Sequence, residues 1–185
     1  MYSRTQLEDA LRAKRDVKFL FFWGHQPAKD GRITASCFSQ WWPAPFTVDA
    51  ILYPTAEHWM MAHKARLFGD ADAASRILTA QSPKMAEQLG RKVQGFDEAT
   101  WDREKWRIVS DGSVHKFQQN KPLGDFLLST GDLVLVEASP VDTVWGIGLN
   151  ADDARARDPA LWRGENLLGF ALMIARDKLR APASG

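Results

Sequence analysis

The sequence has a single cysteine and no long apolar segment, and both features limit what the protein can be. Cys37 has no second cysteine to pair with in the 185-residue chain, so a small secreted domain held by disulfides is excluded. No stretch approaches the roughly 18 uncharged apolar residues that a membrane-spanning helix requires. Residues 1–15 also lack the apolar run of a signal peptide. We therefore expect a cytoplasmic protein with no membrane partner.

An excess of charge of one sign is missing as well. The chain has 24 Lys and Arg against 23 Asp and Glu, a formal net charge of +1. There is no general electrostatic attraction to nucleic acid or membranes, so any anion must be held by a local pocket. Tyrosine is scarce, with two residues against eight tryptophans. The surplus tryptophans are candidates for stacking on a flat ligand.

The hydrophobic pattern predicts a mainly α protein with a few short strands. A length of 185 residues with 45% hydrophobic content predicts one domain over 1–185 with a sizeable core. Apolar spacing and capping residues predict helices over 3–14, 56–68, 70–80, 83–92, 97–118, 122–131 and 166–180. Short apolar runs predict strands at 17–23 and 133–139 and a hairpin at 46–54. The Gly- and Pro-rich residues between 24 and 45 are expected to form a loop.

The helix that begins within "YPTAEHWMMAHKA" (53–65) contains an unusual number of ionisable groups for an apolar helix. Seven residues separate Glu57 from Lys64, which places them within roughly 20° on one face and about 10 Å apart along the axis. The Lys64 side chain leans back toward Glu57, which lies near the positive end of the helix dipole. A carboxylate and an amine could therefore meet over one substrate atom. The alternative is a first-turn acid and a lysine extending to solvent.

The two histidines of this helix do not form a metal motif. A zinc protease helix carries two histidines four apart, whereas His58 and His63 are five apart. The reversed motif would need a histidine where Pro54 stands. We predict no metal site.

A second group of candidates lies in "LVLVEASPVDTVWGIGLN" (133–150), where a buried strand leads into a loop. Asp142 could supply a second carboxylate and Trp145 could stack on a ring, while Gly146 and Gly148 would let the backbone approach a ligand. The G-x-G pattern lacks the third glycine and the following helix of a nucleotide phosphate loop. The alternative is a tight turn capped by the aspartate side chain.

Trp101, Trp106, Arg91 and Asn166 are further residues for which the sequence suggests a structural or a functional role. Trp101 and Trp106 lie on different faces of one helix, so one can be core while the other faces a cleft. Arg91, followed by Lys92, either stabilises a helix C-terminus or binds phosphate. Asn166 is most simply the N-cap of the last helix.

The motifs occur in a recognisable order: F-S-Q-W-W-P-A-P-F, Y-P-T-A-E-H-W-M-M-A-H-K-A, L-G-R, K-F-Q-Q-N, L-x-x-T-G, V-E-A-S-P-V-D-T-V-W-G-I-G and N-L-L-G-F-A-L-M. From about residue 19 to 178 the chain resembles the NADAR family, also called YbiA-like. The resemblance implies a compact orthogonal helical domain with a few short strands. It also implies an N-glycosidase that cleaves the bond between ribose C1 and a base nitrogen.

The resemblance also assigns residues. It places the catalytic positions at Glu57, Trp101 and Asp142, with Lys64 as the matched helix lysine. Positions expected to bind substrate are Gln40, Trp41, Arg91, Trp145, Gly146 and Asn166. The family loop commonly reads S-N-F-Y-P, whereas this chain has Gln40 in place of the Asn and Trp41 in place of the Phe. Glutamine keeps the amide but lengthens it, which bears on substrate selection.

Two family substrates and one non-catalytic alternative remain open. One branch hydrolyses ribosylamino-pyrimidine phosphates of early riboflavin synthesis to ribose 5-phosphate, and another removes ADP-ribose from guanine in DNA. The alternative is a module that binds ADP-ribose or NAD without hydrolysis. No metal or redox cofactor is implied, and the sequence carries no signal for an oligomeric state.

The residues suit cleavage through an oxocarbenium-like transition state. Glu57 would act as acid/base, and Asp142 would bind ribose hydroxyls or support the cation. Trp101 or Trp145 would stack on the base. Lys64 would either tune Glu57 as an ion-pair partner or form a Schiff base with the opened ribose. The guanidinium of Arg91 would bind the phosphate.

Overall fold

The computed structural model describes residues 2–181, and these residues are mainly helical with a few short strands, as predicted. The α-helices are α1 (Arg4–Arg12), α2 (Ala56–Leu67), α3 (Ala71–Leu78), α4 (Pro83–Gly90), α5 (Glu98–Gln119), α6 (Lys121–Ser129) and α7 (Leu167–Arg180). The strands are β1 (Phe19–Phe22), β2 (Phe46–Val48), β3 (Ile51–Tyr53) and β4 (Val134–Glu137). Short 3₁₀ turns occupy Ala35–Phe38, Ala154–Arg157 and Pro159–Leu161.

Most helices begin where a capping side chain precedes them. Thr55, Asp70, Ser82 and Asp97 each accept a hydrogen bond from the backbone N–H three residues later. Such caps satisfy donors that the first turn of a helix leaves unpaired. The predicted starts of α2 to α5 are therefore confirmed, since the signal that sets them is local.

The chain divides into two compact units. Unit 1 comprises Met1–Ser39 and Pro122–Gly185, and unit 2 comprises Gln40–Lys121. The single domain expected over 1–185 stays a prediction. Within the described part of the chain, no helix is both long and apolar enough to cross a membrane.

Unit 2 is built around α2. The antiparallel β2–β3 hairpin precedes this helix, and α3, α4 and α5 pack against it. The Trp59 indole N–H donates to the Ile108 carbonyl of α5 at 2.8 Å. Gly112 of α5 leaves room for the same indole ring. This close packing buries α2 on most of its surface and so places its polar side chains in the interior.

Unit 1 contains α1, β1, β4 and α7. Strands β1 and β4 pair in parallel, with Phe22 opposite Glu137, and α7 packs against β4. Asn166 is the N-cap residue of α7, as predicted, but its side chain makes no capping hydrogen bond. Its amide instead accepts from the Glu137 N–H and donates to the Leu135 carbonyl, each at 2.9 Å. The amide thereby ties the start of α7 to β4.

Replacement of Gly112 tests the packing of α5 on α2. A Cβ at Gly112 would lie 2.4 Å from Trp59 Cδ1. We expect Gly112→Ala to lower the free energy of unfolding by about 1–3 kcal/mol, because overpacking outweighs the gain in helix propensity of about 1 kcal/mol. Urea denaturation measures the change. The exposed Gln118→Ala on the same helix is the control and should stay within about 0.5 kcal/mol of wild type. A more stable Gly112→Ala variant would contradict the packing described.

Candidate active site

Glu57 lies in the interior of unit 2, in the first turn of α2. Its residue is only 3% exposed. Its backbone N–H donates to the Gln40 carbonyl at 3.0 Å, so the loop before β2 is joined to the helix start. The side chain also lies near the positive end of the helix dipole, which favours its charged form. Burial of an acid at this position is uncommon unless the acid is paired or used.

Lys64 occupies the last turn of the same helix and is half-buried. Its Nζ lies 4.3 Å from the centre of the Phe96 ring and 5.5 Å from that of Trp101. Burial lowers the pKa of Lys64, the positive charge of Arg91 lowers it further, and Glu57 opposes both. A lysine of this kind gives up its proton more readily than an exposed one, which is a requirement for a nucleophilic amine.

Both histidines of α2 have structural partners. His58 lies between the Thr55 hydroxyl, 2.8 Å from Nδ1, and the Ala80 carbonyl, 3.0 Å from Nε2. His63 packs on the Trp59 ring and has its Nδ1 2.9 Å from the Trp59 carbonyl. Burial lowers the pKa of each histidine. Through these contacts both histidines hold α2 in place.

Arg91 caps the C-terminus of α4 and is exposed. It forms an ion pair with Glu87 at 2.6 Å, with a helical spacing of i,i+4. Its charge also acts on Lys64 and is itself stabilised by Glu57. The structure therefore brings a guanidinium into the electrostatic surroundings of the α2 pair. Exposure leaves Arg91 able to exchange Glu87 for a phosphate.

Of the two loop residues predicted to bind substrate, Gln40 is buried and Trp41 is half-buried. Trp101 is half-buried beside Lys64. Trp106 has a buried indole N–H that finds no partner within residues 2–181. Both tryptophans of α5 are half-buried, so the expectation that one is core while the other faces a cleft stays a prediction.

In unit 1, Asp142 organises the loop that follows β4. Its Oδ1 accepts from the backbone N–H groups of Val144 and Trp145, each at 2.8 Å. Its own N–H donates to the Ser139 hydroxyl at 3.2 Å. The capped turn that we considered as an alternative is therefore present. Within residues 2–181, Oδ2 accepts no hydrogen bond, so one oxygen of this carboxylate remains available to a ligand.

Gly146 and Asn166 are engaged by the protein itself. A Cβ at Gly146 would lie 2.8 Å from the Glu137 carbonyl oxygen, so glycine is required here by the neighbouring backbone. Asn166 is fully buried, and both ends of its side-chain amide form hydrogen bonds with the backbone of β4. Trp145, between them in sequence, is half-buried. Substrate binding by these three residues stays a prediction.

Glu137, the last residue of β4, is a functional candidate that our sequence analysis missed. Its Oε2 is buried and has no hydrogen-bond partner within residues 2–181. Burial, followed by the nearby charge of Asp142, raises the pKa of Glu137 to about 8. Phe96, the ring nearest to Lys64, was missed as well. The available signals were a carboxylate ending an apolar strand and an aromatic residue just before the α5 cap.

The two units therefore gather the predicted residues into two clusters. Unit 2 holds Glu57, Lys64, Trp101 and Arg91 in one electrostatic environment, and unit 1 holds Asp142 beside Glu137. Titratable groups shifted by burial together with a specific charge are typical of enzyme active sites. Carboxylates together with a partly desolvated lysine are groups that enzymes use for acid–base or amine chemistry, so the class that the fold and these candidates indicate is an enzyme.

Comparison with known proteins identifies the family. Residues 21–180 match the NADAR domain, and the chain belongs to the NADAR family. It is 40% identical over 166 residues to N-glycosidase R617 of Acanthamoeba polyphaga mimivirus, an alignment that covers 87% of this chain and 96% of that protein. The enzyme class is hydrolase acting on N-glycosyl compounds.

Two further similarities concern the fold and a longer relative. The NMR structure of E. coli YbiA matches with a TM-score of 0.68 and 26% identity, covering 92% of this chain and 91% of that one. The mainly α fold with few strands is thereby confirmed. The riboflavin biosynthesis protein VVA0006 of Vibrio vulnificus is 30% identical over 145 residues, which are 78% of this chain and 36% of that protein.

The raised pKa of Glu137 predicts a pH-dependent stability. Between its ordinary value of 4.5 and about 8, the folded protein keeps a proton that the unfolded chain releases. Raising the pH through this range therefore lowers the free energy of unfolding, by up to about 1.4 kcal/mol per unit. Glu137→Gln removes this titration, so the variant should gain stability relative to wild type as the pH rises from roughly 5 to 8.

Urea denaturation of wild type and variant across that pH range measures the effect. The exposed Glu165→Gln of the same unit should follow the wild-type curve throughout. A difference between wild type and Glu137→Gln that stays constant with pH would show that Glu137 titrates normally.

Proposed function

We propose that this enzyme hydrolyses the bond between ribose C1 and the base nitrogen of ribosylamino-pyrimidine phosphates, releasing ribose 5-phosphate. The proposal is carried by the presence of two groups on one helix. Glu57 is buried in the first turn of α2, and Lys64, in the last turn, lies beside two aromatic rings. The similarity to a relative named a riboflavin biosynthesis protein favours this substrate class.

Glu57 is the proposed acid/base. Cleavage of an N-ribosidic bond develops positive charge at C1, and the departing nitrogen must take up a proton. A carboxyl group with little access to water can stabilise the cation and transfer a proton to or from the reacting atoms. The Gln40 carbonyl, which accepts from the Glu57 N–H, fixes the backbone that carries this group.

Lys64 has two possible roles in the proposal. As a cation it would hold Glu57 in its charged form, and the electrostatic attraction between the two side chains supports this role. As a free amine it would attack C1 of the ring-opened ribosylamine, where C1 is joined to the base by an imine bond. The base amine would take up a proton and leave as the C=N bond to Lys64 forms, and water would then hydrolyse that bond to release the sugar. The lowered pKa of Lys64 supports the second role.

Other residues bind or select the substrate in this proposal. Trp101, beside Lys64, or Trp145 stacks on the base, because a flat pyrimidine presents a face to an indole ring. Asp142 accepts hydrogen bonds from ribose hydroxyls through Oδ2, while its Oδ1 holds the loop. Arg91 binds the phosphate through its guanidinium, which suits a planar, two-pronged contact. Gln40 and Trp41 select among substrates from the loop before β2.

We expect Glu57→Gln to retain the fold and lose turnover by about 10²–10⁴-fold, because the amide cannot transfer a proton. Chromatography of the reaction measures free base and sugar after incubation with a ribosylamino-pyrimidine phosphate. Glu98→Gln is the matched control, since Glu98 also lies in the first turn of a unit 2 helix but is exposed. Near wild-type turnover of Glu57→Gln would overturn the acid/base assignment.

An ADP-ribosylated guanine oligonucleotide, offered separately, distinguishes the substrates. Base release from the pyrimidine substrate alone supports the proposal, and release from the oligonucleotide alone assigns the enzyme to DNA-linked ADP-ribose instead. Tight ADP-ribose binding without release from either substrate would favour a binding module.

Borohydride trapping separates the two roles of Lys64. If the amine forms a Schiff base, reduction during turnover should leave a sugar adduct on wild type that Lys64→Ala lacks, as measured by the mass of the Lys64 peptide. Lys84→Ala, an exposed lysine in the same unit, should still be trapped. If wild type turns over substrate but no adduct is trapped, the Schiff-base role is rejected and Lys64 acts as the ion-pair partner of Glu57.

A further inference from the structure

The carboxyl group of Glu137 has two unlike oxygens. Oε2 is buried without a hydrogen-bond partner in the described residues, whereas Oε1 is not among the buried unpaired atoms and the residue keeps partial exposure. A carboxylate buried in this way would leave charge and lone pairs unsatisfied, at a large cost in free energy. A protonated carboxyl group avoids most of that cost. Because Oε2 is closed off from solvent, the oxygen that a ligand can reach is Oε1, and an O–H there has no acceptor inside the described part of the protein.

The position of Glu137 in the fold suits a ligand contact. It ends β4 at the carboxyl edge of the parallel β1–β4 pair, and the Asp142 loop begins directly after it. Binding residues are often found where a rigid element ends and a loop begins, because the element fixes their position. The backbone here is held firmly, since the Glu137 N–H donates to Asn166 and its carbonyl accepts from Ile147 at 2.9 Å.

The charged groups around Glu137 keep it neutral. Asp142 is the one charged side chain in residues 2–181 that acts on its pKa, and it acts in the same direction as burial. The opposing strand β1 presents Phe22. On α7, the nearest buried charge is Arg176, which bonds to Leu133 and Thr130 beyond the other end of β4. Arg163 and Glu165, before α7, are exposed.

We propose that Glu137 is a further substrate-contacting residue, whose neutral carboxyl group donates a hydrogen bond to one ribose hydroxyl while Asp142 accepts one from its neighbour. The inference rests on the proposed function, because it takes ribose as the ligand. The pair offers one donor at the end of β4 and one acceptor in the loop that follows it, which is the combination that two neighbouring ribose hydroxyls would use. A 2-deoxyribose has only one of these hydroxyls and is disfavoured, since one buried group would then stay unpaired.

The test uses ADP-ribose as the probe, because it carries ribose and keeps a constant charge between pH 7 and 9.5. Calorimetry on the full chain measures Kd across this range. For wild type we expect a constant Kd near pH 7 and, above about pH 8, a loss of affinity approaching tenfold per unit as Glu137 ionises.

Two variants separate the effect of Glu137 on Kd from the effects of other titrating groups such as Lys64. Glu137→Gln keeps a donor and cannot ionise, so its Kd should be weakened by less than about tenfold and should lack the alkaline loss. Glu137→Leu has no donor and should bind about 10–100-fold more weakly at pH 7. Glu165→Gln is the matched control and should follow the wild-type curve.

The results that would overturn the inference are distinct from those that overturn the proposed function. The role of Glu137 would be rejected if the loss of affinity at alkaline pH persists in Glu137→Gln. It would also be rejected if the Kd of wild type does not change with pH, or if wild type does not bind ADP-ribose. Base release by the same wild-type preparation shows separately whether the glycosidase proposal stands. Release without pH-dependent binding would uphold the enzyme function and reject the role of Glu137.

Discussion

The burial of α2 among three neighbouring helices is the constraint on which the rest of unit 2 depends. A buried helix can hold polar side chains only where each has a partner or a use. His58 is satisfied by Thr55 and Ala80, and His63 by Trp59. The same packing moves Glu57 out of water and lowers the pKa of Lys64. The packing that stabilises this unit is therefore also what sets the surroundings of its two candidate catalytic groups.

In unit 1 a side-chain amide, rather than the packing of helices, fixes the backbone near the candidate carboxyl groups. Its parallel strands are short, and the Asn166 amide fastens the end of β4 to the start of α7. Because that backbone is fixed, Glu137 and Asp142 must lie close enough for one charge to disfavour the other. Protonated Glu137 would provide a hydrogen-bond donor next to the acceptor oxygens of Asp142, which two carboxylates would not.

Several features followed from local sequence signals. The starts of α2 to α5 depend on Thr55, Asp70, Ser82 and Asp97, whose side chains bond only three residues ahead. The shared face of Glu57 and Lys64 follows from helical periodicity alone. The turn at Asp142 follows from the tendency of an aspartate side chain to accept hydrogen bonds from backbone N–H groups two and three residues ahead. In each case the residues involved are close in sequence, so no knowledge of packing was needed.

Other features depended on residues far apart in the chain. Asn166 matched the pattern of an N-cap, but 29 residues separate it from the Glu137 N–H that it bonds instead. Phe96 reaches Lys64 from a segment 32 residues away (96 − 64). Glu137 was inconspicuous at the end of an apolar run until burial and Asp142 raised its pKa. Local periodicity and capping thus defined the helices and the main catalytic candidates. Which groups lose water, and which charges act on one another, was decided by packing, because desolvation and Coulomb interactions depend on distance in space rather than along the chain.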